Sequence, residues 1–274
     1  MTAASVKQPD QHGRRSITVN SIIYGPVPSW RLGRSLGIDL VSTTGKTCSF
    51  DCIYCQLGRT IHHTAKRAEF VSIDQLAGEI ESAEAIPVDY VTFSGVAEPT
   101  LASNLAEGIE LAKKVLGHPV AVLTSSSLMM LPDVRHDLTY ADTVVAKLDA
   151  PTEDRFRHIN RPVKGILLEQ IIKGIKEFRL EYQGRLALQM MFVEENRNYV
   201  SQMVEVARQI SPDEVQLNTP LRPCAVEPLS PEEMRSIQKE FSGLREKVVM
   251  VYDAPKPMIT PMNIAETLRR RPQL

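Results

Sequence analysis

Three of the four cysteines fall within eight residues, in the stretch Lys46-Thr47-Cys48-Ser49-Phe50-Asp51-Cys52-Ile53-Tyr54-Cys55-Gln56-Leu57-Gly58. Three thiolates on one loop point to one metal centre, and any fold for this chain must present that loop at an accessible end. Spacings of three and then two intervening residues suit a loop wrapping a compact iron–sulfur cube. Thiolates hold its irons, and an iron left without a protein thiolate stays open to another ligand. A structural zinc ion would normally want a fourth protein ligand. His62 and His63 lie seven or more residues downstream in a polar segment, and Cys224 is far away in sequence. Three free buried thiols, or a zinc loop, are the alternatives, although cysteine clusters in reducing compartments usually signal metal or catalysis.

A length of 274 residues suits one large α/β domain, and 43% hydrophobic residues supply a sizeable core. A formal charge of −1 demands neither a polyanion nor a membrane surface. The segment Met1-Thr2-Ala3-Ala4-Ser5-Val6-Lys7 has no apolar signal core, and no run approaches the roughly 20 apolar residues that span a bilayer. The expected compartment is the cytoplasm, with no membrane partner. An odd number of clustered cysteines also argues against a secreted disulfide framework.

Residues 1–20 are polar and aperiodic and read as a flexible arm. A turn-rich lead from Tyr24 to Gly37 is expected to reach a first strand at Ile38–Val41. Ser72 opens a helix, followed by a strand at Asp89–Phe93 and a helix at Asn104–Leu116. The alternation continues with strands at Val120–Thr124, Thr143–Leu148, Arg185–Phe192 and Glu214–Asn218. Helices fall at Pro132, Leu167–Tyr182 and Tyr199–Ile210. Six alternations imply parallel strands joined by right-handed crossovers. Periodicity leaves a closed barrel, a partial barrel and an open doubly wound sheet all possible. Residues 223–274 are expected to form a C-terminal extension on a barrel of residues 21–222, with a helix from Ser230 and a strand at Lys247–Tyr252.

The cysteine loop, with Tyr54 just before its last cysteine, resembles the signature of the radical S-adenosylmethionine (SAM) superfamily. That resemblance implies a partial (βα)6 barrel whose open top carries a [4Fe-4S] cluster on Cys48, Cys52 and Cys55. The open iron would be chelated by the amino and carboxylate groups of S-adenosylmethionine. One electron from an external reductant such as flavodoxin or ferredoxin would then cleave the sulfonium to a 5′-deoxyadenosyl radical. Ser94-Gly95-Val96-Ala97-Glu98-Pro99-Thr100-Leu101 resembles the family's Gly-Gly-Glu-Pro motif, which holds the methionine amino group. Ala97 stands where relatives have glycine, a change that matters if the position needs a positive φ.

Thr124-Ser125-Ser126-Ser127-Leu128 replaces part of a family Thr-Asn-Gly-Ser-Leu segment, and Ser125 and Ser126 are candidate cofactor contacts. Lys147 or Arg161 would neutralise the cofactor carboxylate, and Asp149 would face substrate; a buried salt bridge among the three is the alternative. Gln189 and Asn218, polar residues within apolar strands, match family positions for adenine and ribose, or are satisfied core amides. Cys224 is a candidate hydrogen donor or a packing residue.

Tyr-Gly-Pro-Val-Pro-Ser and Leu-Gly-Ile-Asp-Leu further resemble iron–sulfur oxidoreductases related to wybutosine-synthesis enzymes, which modify tRNA using a second cluster. No cysteine precedes Cys48 here. A tRNA enzyme would present a basic stripe. Arg14-Arg15, Arg31 with Arg34, Lys66-Arg67 and Arg269-Arg270-Arg271 are scattered, and the last run reads as a solvated tail. The substrate class therefore stays open among small molecule, peptide and tRNA. An electron-transfer or sensing protein that holds the cluster without turnover is the competing functional class.

Overall fold

The computed structural model describes residues 21–255 and 257–272; the expected arm at 1–20 lies outside them. Strands β1 (Ile23–Ser29) and β2 (Gly33–Ile38) form an antiparallel hairpin, and β3 (Thr47–Cys48) pairs in parallel with β4 (His62–His63). There follow α1 (Ile73–Ile80), β5 (Tyr90–Phe93), α2 (Leu105–Leu116), β6 (Val120–Thr124), α3 (Pro132–Leu138) and β7 (Thr143–Lys147). Next come α4 (Glu153–Ile159), α5 (Leu168–Glu181), β8 (Arg185–Met191), α6 (Val200–Ile210) and β9 (Glu214–Asn218). The chain ends with α7 (Pro231–Glu240), β10 (Lys247–Met250) and α8 (Ile264–Arg270).

One curled sheet runs β1-β2-β5-β6-β7-β8-β9-β10, parallel throughout except for edge strand β1. The fold is therefore α/β, a half-barrel clothed in helices. Its inner strands are apolar because helices cover one face and the barrel interior the other, and Val91, Phe93, Val120, Val122, Val144 and Leu188 are fully buried. The local signals behave as the residues dictate. Ser72 accepts a hydrogen bond from the Gln75 N–H at 3.1 Å to cap α1, and Ser230 with Glu233 completes a reciprocal capping box on α7.

The start of the chain differs from expectation. Gly25, Pro26 and Pro28, read as turn residues, lie inside β1, and the strand expected at Ile38–Val41 begins where β2 ends. An edge strand needs fewer ladder donors, so β1 tolerates its prolines. Gly37 belongs to the same arrangement: a Cβ there would lie 2.1 Å from the Tyr24 ring, which crosses β2 to place its hydroxyl 2.7 Å from Ser94 Oγ.

The terminal arginines are not a solvated tail. Helix α8 packs on β1, and the fully buried Arg270 side chain donates through Nε to Asp39 Oδ2 at 2.9 Å. It also pairs with Glu266 and donates to Ser21 O at 2.9 Å and Ser42 Oγ at 2.8 Å. Breaking a buried pair leaves uncompensated charge, so Arg270→Met should cost about 3–5 kcal/mol in urea denaturation. Arg269, with its side chain 33% exposed, is the control: Arg269→Met should cost no more than about 1 kcal/mol.

Candidate functional site

The cysteine loop leaves β3 at the carboxyl ends of the parallel strands, where α/β folds place their chemistry. Its shape is built by backbone pairing to the end of α4: Asp51 N–H donates to Asn160 O at 3.0 Å, and Ile53 N–H to Ile159 O at 2.9 Å. Asp51 accepts from Thr60 N–H at 2.7 Å, and Gly58 closes the loop at φ +79°, a conformation glycine adopts without strain. Cys48, Cys52 and Cys55 are free thiols lining one cavity of about 600 Å³.

Burial, assisted by the Glu98 charge, pushes the Cys48 thiol up to about 12, and burial also raises Cys52. Two cations oppose this. Lys46, on the same side of the extended chain as Cys48 by its i, i+2 spacing, is itself disfavoured as a cation by burial, yet the negative charge that Cys55, Cys48 and Cys52 carry as thiolates raises its pKa above normal. Lys147 is likewise penalised by burial but held up by Asp149 and the same cysteines, and its Nζ lies 5.2 Å from the Tyr54 ring centroid. Hydrogen bonds reach two sulfurs, from Phe50 N–H to Cys48 Sγ and from Asn160 Nδ2 to Cys52 Sγ, both at 3.4 Å.

This donor set fits an iron–sulfur cube. Among the described residues no three His, Cys, Asp or Glu side chains converge to hold a single ion, whereas a cube distributes its thiolates over separate irons. Neither histidine is aimed at the cysteines: His62 Nε2 meets Thr44 O and His63 Nε2 meets Ser49 O, each at 3.1 Å. Cys224 donates to Val226 O at 3.1 Å and is absent from the cavity lining.

Glu98 also lines the cavity and is 3% exposed. Its Oε1 accepts from Thr100 N–H at 3.1 Å, Thr100 Oγ1 at 2.7 Å and Thr124 Oγ1 at 2.6 Å, and Oε2 accepts from Ser125 N–H at 2.6 Å. The carboxylate thus joins the loops after β5 and β6, and Oε2 keeps the larger share of unused acceptor capacity. Ser94, Gly95, Ser125, Gln189 and Asn218 share the lining. Gly95 is required because a Cβ would sit 2.1 Å from the Asp39 carboxylate carbon. Ala97 does not adopt positive φ; it bridges to Thr47 beside the cysteine loop.

Besides Cys224, three residues singled out in the sequence sit elsewhere. Asp149 does not line the cavity: its buried carboxylate accepts from the Tyr54 hydroxyl, from Asn160 Nδ2 at 2.8 Å and from Met191 N–H at 2.9 Å. It positions Tyr54, which remains in the wall and whose phenol is held protonated by burial and by Asp149. Arg161 has an exposed side chain and lies outside the lining. No ion pair joins Lys147, Asp149 and Arg161 among the described residues. Ser126 also misses the cavity; it takes φ +67° at the position where the resembling segment has glycine, and its buried hydroxyl lacks a partner.

Residues not foreseen as site components also line the cavity, among them Lys46, Arg31, Arg222, Arg270 and Arg271. The i, i+2 offset from Cys48 was a usable signal for Lys46. The arginines converge from distant parts of the chain and left none.

Residues 42–207 match the family described as the Radical SAM superfamily. A UPF0026 protein of Synechocystis sp. is 43% identical over 222 residues, covering 81% of this chain and 79% of that protein. A UPF0026 protein of Methanocaldococcus jannaschii is 37% identical, covering 82% and 72%. In fold the chain is similar to Streptococcus suis SuiB bound to S-adenosylmethionine, with a TM-score of 0.58 and 14% identity over 75% of this chain. It spans 48% of the length of SuiB.

Two substitutions test the loop chemistry. Ser126→Gly removes a left-handed non-glycine residue and an orphaned hydroxyl, and should stabilise the chain by about 1 kcal/mol in urea denaturation. Glu98→Ala orphans buried donors from Thr100, Thr124 and Ser125, and should cost about 3 kcal/mol or more.

Proposed function

The chain belongs to the radical SAM superfamily and groups with the UPF0026 proteins, and from that premise we propose that it is an iron–sulfur enzyme that cleaves S-adenosylmethionine reductively to abstract hydrogen from an organic substrate. The carrying observation is that three free thiols and the Glu98 carboxylate line one cavity. When bound, a [4Fe-4S] cluster supplies one electron to S-adenosylmethionine, splitting it into methionine and a 5′-deoxyadenosyl radical that takes a hydrogen atom from the substrate.

The protein's part is holding and orienting. Cys48, Cys52 and Cys55 anchor three irons, and Lys46 and Lys147 offset the negative charge their thiolates bring. The donors on the sulfurs of Cys48 and Cys52 stabilise the anionic form and bear on its potential. Oε2 of Glu98 would accept from the methionine amino group when the cofactor is bound, a charge-assisted bond that would help orient it. Ser94, Gly95 and Ser125 line the path of the methionyl and ribose groups, Gln189 and Asn218 offer amides to the nucleoside, and Tyr54 supplies a flat wall. Of the two cations singled out in the sequence for the cofactor carboxylate, Lys147 lines the cavity and Arg161 does not, so Lys147 is the one that would face it. Asp149 acts through Tyr54 and Asn160 as a positioning residue. A protein that only carries electrons needs no acceptor at Glu98, which favours turnover over that reading. The reductant is a flavodoxin- or ferredoxin-type donor. A small molecule, a peptide side chain or a tRNA base of the wybutosine type can each supply the hydrogen, and an oxidoreductase outcome follows if the substrate radical loses an electron.

Anaerobically reconstituted chain should contain about four irons with matching sulfide, for the reasons of ligation above, and its electron paramagnetic resonance spectrum should change when S-adenosylmethionine is added. Dithionite-reduced protein should release 5′-deoxyadenosine slowly without substrate. Cys52→Ala should lose the cluster; an unchanged iron content in that variant, or no 5′-deoxyadenosine from the fully loaded wild type with substrates present, sinks the reading.

A further inference from the structure

The cavity is far more basic than the chain. Six cations line it, Arg31, Lys46, Lys147, Arg222, Arg270 and Arg271, against one acid, Glu98. Lys46 and Lys147 serve the thiols, and Arg270 is matched by Asp39 and Glu266. Arg31, Arg222 and Arg271 remain. None of the three forms a salt bridge among the described residues. Their contacts are sparse: Arg31 Nη2 donates to Gln189 Oε1 at 2.9 Å and its guanidinium lies over Trp30, while Arg271 Nη2 donates to Pro28 O at 3.1 Å. Arg31 Nε, Arg222 Nη1 and Arg271 Nε are buried with no acceptor. Glu214, the acid whose charge reaches Arg31, is already engaged by Arg185 at 2.8 Å and Lys247 at 3.1 Å.

We propose that Arg31, Arg222 and Arg271 form an oxyanion site that takes a carboxylate or phosphate carried by the substrate. The proposal rests on reading this cavity as the reaction chamber. Each guanidinium comes from a different place, the β1–β2 turn, the chain after β9 and the end of α8, and all three open on the same space. The three arginines are partly buried, and a guanidinium with a buried unmet N–H and no counter-ion among the described residues is costly. An oxyanion supplies both the charge and the forked acceptors that arginine geometry matches. The electrostatics agree: burial, then repulsion from the other two arginines, brings Arg31 down to about 9, and burial followed by Arg271 brings Arg222 down to about 10. On this reading the cofactor's carboxylate is assigned to Lys147, Arg31 meets the nucleoside wall at Gln189 Oε1, and competition with S-adenosylmethionine in the test below separates the two occupants.

The test uses the full-length chain with its cluster, and thermal unfolding with inorganic phosphate or succinate at constant ionic strength set by chloride. Either anion should raise Tm saturably, as a ligand of the native state does. Preference for phosphate marks a phosphorylated substrate, and preference for succinate a carboxylated one. Arg271→Gln and Arg222→Gln should each weaken the preferred anion at least about ten-fold, the effect of losing one charge-assisted pair, with the lysine variants intermediate. Loss of one repelling guanidinium should raise, not lower, the Tm without anion. If neither anion stabilises the wild type beyond chloride, or if S-adenosylmethionine displaces the bound anion competitively, the proposal is overturned. Both criteria use only wild-type protein, so a variant that misfolds leaves the decision intact. Absence of 5′-deoxyadenosine alongside saturable anion binding would reject the radical reading and leave the oxyanion site standing.

Discussion

The carboxylate of Asp39 is the joint on which the upper end of the half-barrel depends. It leaves the sheet directly after β2, accepts Val96 N–H at 3.0 Å and Arg270 Nε at 2.9 Å, and is 3% exposed. Three segments distant in sequence therefore meet on one buried charge: the end of β2, the loop leading to Glu98, and the C-terminal helix. A curled sheet leaves its first and last strands unjoined, and α8 packs against β1. The side chain that seats this helix also supplies the cation that makes burial of Asp39 tolerable. Glycine at position 95 is a consequence, since the loop must pass over the carboxylate with no room for a Cβ. The geometry of Glu98 is thus coupled to a contact 231 residues apart in sequence.

Electrostatics inside the cavity run against the composition. The chain carries 32 basic and 33 acidic residues, a balance that hides strong segregation. Around the cysteines the competition is between burial, which keeps thiols protonated, and the lysines, which favour thiolates. For Cys48 burial prevails, with the thiol at about 12. Iron must then replace protons as it binds, so a cluster would be part of what neutralises this end of the cavity rather than an addition to a finished site.

Most of the parallel sheet was legible because each inner strand is a short apolar run followed by a helix with its own start signal, as in Val120–Thr124 and Pro132–Leu138. The hairpin was not, because Gly25, Pro26 and Pro28 carry the same local signature in an edge strand as in a turn. Helix α4, with only Phe156 and Ile159 buried, is too short for its periodicity to be read. Of the residues that line the cavity, the three cysteines were singled out by type and spacing, Glu98 by the resemblance of its segment, and Gln189 and Asn218 as polar residues within apolar strands. Asp149 was assigned to the chamber because it ends a strand; its orientation toward Tyr54 and Asn160 is a tertiary fact. Arg270 and Arg271 were hidden for the converse reason. A terminal basic run is solvated unless something buries it, and only the packing of α8 on β1 shows that something does.

Local rules are broken at several places among the described residues, Arg161 and Ser211 with positive φ among them, and some of the breaches lie at or beside the cavity. Ser126 holds a left-handed conformation behind the serine that donates to Glu98, and three arginines that line the cavity each keep a buried donor unmet. Each departure costs stability, and a globular protein has only about 5–15 kcal/mol to spare. An uncompensated conflict of this kind is expected at functional sites, where a ligand absent from the free protein supplies the missing partner. The thiols and the arginines are therefore two instances of one physical situation: groups arranged for charges that the polypeptide itself does not carry.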